Sequence, residues 1–146
     1  MKDNYVILNE IAYDTGAYEV IINTHLGAFK GFTEPDEIDV KYPSIYHASE
    51  IALAKALRKF AEAAVAQLKR EINLIENMMK QVTDNASDYY EVDNSSFRTM
   101  NGTLKQKKKE YEKWSNRVTA LSVSLINRIA ARDKIVAKYI EKDKTE

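Results

Sequence analysis

Two patterns of apolar and polar positions divide the chain near residue 44. Before that point apolar residues come in short runs. Tyr5–Leu8 is built from strand formers, and Ala17-Tyr-Glu-Val-Ile-Ile-Asn-Thr24 is a second β-favouring stretch. A third, 28–33, follows Gly27, and a glycine supplies the positive φ that a three- or four-residue hairpin loop requires. The sequence therefore predicts a hairpin of 17–24 and 28–33. Pro35, Pro43 and Ser44 then supply turn and cap chemistry, which ends the β-sheet region at residue 43.

After that point the spacing becomes helical. No Gly or Pro interrupts 45–82, a run dominated by Ala, Leu, Lys, Glu and Gln. A stripe of Ala54, Leu57, Ala61, Ala64, Leu68, Glu71, Ile75, Met78 and Val82 alternates steps of three and four, with Glu71 as the one polar exception. A long helix over 44–82 follows. The acidic, polar segment 83–98 reads as a connector, because its Asp, Asn and Ser side chains offer the backbone alternatives to helix. A second long helix over 99–142 carries its own stripe in Leu104, Lys107, Tyr111, Trp114, Val118, Leu121 and Leu125, with Asn101-Gly102 expected to fray its first turn. Two such helices joined by a short connector fold back antiparallel. The expected class is α+β, one domain over 1–146, with a small N-terminal antiparallel β-sheet followed by a long antiparallel two-helix hairpin.

Composition narrows the function. With 45% hydrophobic and 30% charged residues the chain has the make-up of a folded protein, and its length suits one modest core. The absence of cysteine excludes disulfides, thiolate metal sites and cysteine nucleophiles, and points to a reducing cytoplasm. The first twenty residues lack a basic start with an apolar run, and no eighteen consecutive residues are apolar, so neither secretion nor membrane insertion is expected. His25 and His47 have no metal-spaced partner, and no P-loop, GxSxG, GxGxxG or HExxH pattern is present. The expectation is a binding protein rather than an enzyme, with no metal and no cofactor.

Charge is unevenly distributed. Residues 1–45 hold three Lys and eight Asp/Glu, whereas 99–142 hold eleven Lys/Arg and four Asp/Glu. An acidic head and a basic tail can attract one another, or the basic helix can receive an anion. On the second helix the seam spacing continues onto Arg128 and Arg132, although drift at about 3.6 residues per turn would carry it to Ile129 and Val136 instead. An Arg pair at i and i+4 presents two planar forks suited to phosphate or carboxylate. Asn127 and Asp133 flank the pair and offer acceptors to a ribose hydroxyl. The alternative is that these arginines form salt bridges with acidic residues of the same or a neighbouring subunit. Lys105, Lys107, Lys108, Lys109 and Lys113 could touch nucleic-acid backbone, but no DNA- or RNA-binding motif accompanies them, and a solvated face is favoured.

Three segments carry a family resemblance. Ile22-Asn-Thr-His-Leu-Gly-Ala-Phe-Lys-Gly31, followed by an acidic turn, resembles the Thr-x-x-Gly-x-Phe-x-Gly hairpin of the phage Thoeris anti-defence proteins of the first type. Tyr46-His-Ala-Ser-Glu-Ile-Ala52 is similar to that family's entry into its first long helix, and Arg128, Arg132 and Asp133 resemble its paired arginines. The resemblance implies a homodimer or higher homo-oligomer in the host cytoplasm that sequesters a cyclic ADP-ribose signal without degrading it, with cyclic oligonucleotides held elsewhere by some members. In such a site Arg128 and Arg132 would hold the pyrophosphate, and Asp133 or Asn127 a hydroxyl. Phe97 or Arg98 would stack on the purine, and Thr24 and His25 would close the pocket. The competing reading is a coiled-coil interaction module or a protein-binding inhibitor with no small-molecule ligand.

Overall fold

The computed structural model describes residues 2–37, 45–86 and 94–145, without the side chains of 45–46, 84–86, 94–96 and 129–145. Three strands, β1 (Tyr5–Ala12), β2 (Tyr18–Thr24) and β3 (Gly27–Thr33), form an antiparallel meander in that order, followed by a 3₁₀ turn at Pro35–Glu37. Two long helices, α1 (Ile45–Ala86) and α2 (Asn94–Thr145), fold as a hairpin. The class is α+β, as the sequence pattern implies. Among the described residues no helix is long and apolar enough to cross a membrane.

The expected hairpin forms between β2 and β3, with Thr24 opposite Gly27. Gly27 has φ +117°, and no described non-glycine residue has positive φ. That excludes a type I′ turn at His25-Leu26, and the glycine carries the reversal. The Thr24 hydroxyl fixes the loop by accepting from the Leu26 N–H at 3.1 Å and donating to the Gly27 carbonyl at 2.9 Å. β1 is longer than the predicted run 5–8, because pairing with β2 carries it past an irregularity between Ile7 and Asn9 as far as Ala12.

The chain divides into two compact units. A sheet unit contains Lys2–Ala61 and Arg117–Glu146, and a helical unit contains Glu62–Asn116. In the sheet unit, α1 buries more of its circumference than a single heptad stripe, because it has two partners. Ala52 and Ala56 meet Gly31 of β3, Phe60 stacks on Phe29 with centroids 5.8 Å apart, and the buried Thr33 hydroxyl donates to the Ala48 carbonyl at 2.6 Å. Ile51 and Ala54 instead cluster with Leu125 and Leu121 of α2. Ala48, Ile51, Ala52, Ala56 and Phe60 are thus core residues outside the predicted stripe.

In the helical unit Leu68, Leu104 and Trp114 are buried, as the two stripes require. Met78 departs from its stripe: it is 41% exposed, and Met79 takes the half-buried position because the true helical period carries the face one residue on. Glu71 and Lys107, the polar interruptions of the two seams, are each other's partners at 2.9 Å, and Gln67 donates to Glu71 at 3.1 Å. The hydrogen bond from Lys107 holds the Glu71 carboxyl below its ordinary range against the opposing effect of burial, and Lys107 is raised in turn. A depressed carboxyl pKa contributes stability that is present above the unfolded value and lost as pH falls through the folded one. Glu71→Gln should therefore cost about 1 kcal/mol near neutrality, discounted for partial exposure, with the deficit shrinking on acidification below about pH 4.3. Urea titrations of both proteins across that range read it, and a deficit independent of pH would contradict it.

The helix ends differ from the sequence expectation. α1 runs on to Ala86, and α2 begins at Asn94 rather than at residue 99. Hydroxyls that could have broken the helices bond back into them instead: Thr83 donates to the Met79 carbonyl at 2.9 Å and Thr103 to the Thr99 carbonyl at 3.0 Å. Asn101 and Gly102 accordingly lie within continuous helix. The remainder of the expected connector, 87–93, and the expected cap at Ser44 lie outside the described residues.

Candidate functional site

Arg128 is the best-defined of the expected ligand-binding residues. It follows Leu121 and Leu125 along the inner stripe of α2, and its side chain is about one-third exposed at 35%. Its Nε donates to Ser124 Oγ at 3.3 Å, one turn earlier, and its Nη1 pairs with the Glu50 carboxylate near the start of α1. The guanidinium is thereby oriented from two sides. Glu50 was not among the expected residues. Its place follows from register: once Ala54 and Leu125 share a cluster, antiparallel helices bring residue 50 beside residue 128. The stripe predicts each helix face separately, but their mutual register depends on the connector, which no local pattern fixes.

The acidic head and basic tail do meet within the chain, since Arg117 pairs with Asp3 at 2.9 Å. Both arginine pairs are of the kind expected if the arginines serve structure alone. Glu50 is 59% exposed, however, and a pair of that exposure contributes up to about 1 kcal/mol.

Arg132 lies one turn beyond Arg128 in α2 and Asp133 follows it, with both side chains outside the described residues. Asn127 is exposed. Thr24 and His25 belong to the sheet unit but do not close a pocket over Arg128. The Thr24 hydroxyl is committed to its own turn, and the His25 ring meets Phe60 edge-on at 5.8 Å. Phe60 lies ten residues beyond Glu50 on α1, roughly 15 Å along the helix at 1.5 Å per residue. Phe97, half-buried, and Arg98, exposed, belong to the helical unit. Sequence proximity to a helix start suggested them, and that signal carries no information about which unit they enter.

Of the lysine-rich face, Lys107 is paired with Glu71, and Lys108 with Glu76 at 3.5 Å. Lys105 and Lys109 are exposed. At least two of the five lysines are thus engaged by acids of α1, which weakens the face as a continuous phosphate track.

No protein family, curated protein or solved structure matches the chain.

Proposed function

We propose that the protein is a binding protein that sequesters a cyclic ADP-ribose-type nucleotide without degrading it, as a phage anti-defence factor would. The observation that carries this reading is Arg128: an arginine on the stripe that is apolar at Leu121 and Leu125, aimed by Ser124 and held by an exposed, readily displaced carboxylate. An oriented fork with a weak resident partner suits a pyrophosphate, because the carboxylate's departure costs little and a bidentate, charge-assisted bond replaces it. Arg132, one turn on, would double the positive charge at that end of α2. Thr24 and His25 lie well along α1 from Arg128, so on this reading a second copy of the chain completes the pocket.

Sequestration requires affinity at nanomolar level or better, roughly −12 kcal/mol. Calorimetric titration with a panel of cyclic ADP-ribose isomers is expected to give such binding for one of them, with the nucleotide recovered intact after heat release. No heat across the panel would refute the reading. The second reading, an interaction module in which the arginines serve only to pair with acids, is favoured by the Arg128–Glu50 and Arg117–Asp3 pairs themselves.

A further inference from the structure

The two edges of the sheet are treated differently. Along β3, helix α1 supplies donors to the strand's carbonyls: Lys55 Nζ reaches Phe32 O at 2.9 Å and Lys59 Nζ reaches Lys30 O at 2.7 Å. Lys55 is anchored there by Glu37 at 2.5 Å, and Gly31 is pressed against the α1 backbone. That edge is occupied.

β1 is the opposite edge, and it is bare. Tyr5, Val6, Ile7 and Leu8 are 40%, 65%, 43% and 57% exposed, which leaves apolar side chains on both faces of the strand open to water. Natural edge strands are usually protected by Lys, Pro, an inward charge or a bulge; Tyr5–Leu8 contains no Lys, Pro or charge, and the irregularity of β1 falls only after Ile7. Four consecutive exposed apolar residues with an unpaired backbone edge form a template for another strand.

From this asymmetry we infer that β1 pairs antiparallel with β1 of a second copy, joining two three-stranded sheets into one of six strands. Two observations select a second copy over a foreign strand. First, among the described residues one edge of the sheet is open and the other closed, so pairing consumes the open edge and assembly stops at two chains instead of running on as a fibre. Second, the segment is self-complementary. A two-fold axis perpendicular to the sheet pairs residues on the same face, so only registers with an even residue sum are allowed. The register centred on Val6 sets Val6 against Val6 and Tyr5 against Ile7, which covers the three apolar residues before the irregularity with themselves.

The proposal does not depend on nucleotide binding, and its test contains no nucleotide. Light scattering coupled to size exclusion, at tens of micromolar protein, is expected to give twice the 16.7 kDa chain mass. Val6→Lys places two ammonium groups face to face on the axis and is expected to give the mass of one chain with an unchanged circular dichroism spectrum. Because the chain has no cysteine, Val6→Cys supplies an independent reading: mild oxidation is expected to link the two copies nearly completely, whereas Leu74→Cys, exposed on α1, leaves them unlinked. A monomeric wild type, a dimer that survives Val6→Lys, or a Val6→Cys dimer that does not cross-link would each overturn the proposal.

Discussion

Gly31→Ala is expected to destabilise the protein by about 3 kcal/mol or more. Gly31 lies opposite Val20 in the β2–β3 ladder and faces the backbone of α1. A Cβ there would stand 1.8 Å from the Ala52 carbonyl oxygen and 2.7 Å from the Ala56 nitrogen. Neither obstacle is a flexible side chain that can swing aside. The helix would have to lift, and in lifting would loosen Thr33 from the Ala48 carbonyl, Phe60 from Phe29 and both lysines from β3. Those contacts share one rigid-body displacement, so their losses arrive together. Gly102 is the control: a Cβ there meets nothing within 4 Å, and Gly102→Ala in an exposed helix interior should stabilise by up to about 1 kcal/mol. Urea unfolding of the two variants beside the wild type tests the contrast, and a Gly31→Ala loss under about 1 kcal/mol would mean that α1 is not seated on β3 as described.

That glycine also marks the boundary of what the sequence made legible. The helix stripes were readable because burial on one face imposes a period, and Leu104, Lys107, Tyr111, Trp114, Val118, Leu121 and Leu125 all lie buried or half-buried on α2. The hairpin was readable because Gly27 has a steric reason to be where it is. Ala52 and Ala56 escaped the pattern because small residues serve equally on a helix surface and against a close partner; only the partner's glycine distinguishes the two. Glu71 and Lys107 looked like separate flaws in two seams and are one ion pair, a relation invisible until the helices are in register. The same lack of register hid Glu50. The candidate site was therefore half legible: the arginine follows from its helix alone, its partner does not.

The two readings of that arginine make opposite predictions for Glu50. If Arg128 receives a nucleotide phosphate, Glu50 is a resident competitor, and Glu50→Ala should raise affinity by up to about fivefold, the worth of a surface ion pair of up to about 1 kcal/mol. Arg128→Ala should lower affinity by about 100-fold or more, roughly 3 kcal/mol, since it removes a charge-assisted fork from a desolvated anion. Fold stability should move little in either case, because the pair is exposed on the Glu50 side. If the pair serves only the hairpin, both truncations should cost the same small stability, the double variant should cost no more than either single one, and nucleotide heats should be absent throughout. Measuring stability and nucleotide affinity on the same three variants separates these outcomes. An affinity that falls on Glu50→Ala would show that the carboxylate aims Arg128 rather than competing for it, and would move Glu50 from the ligand's rival to its positioning residue.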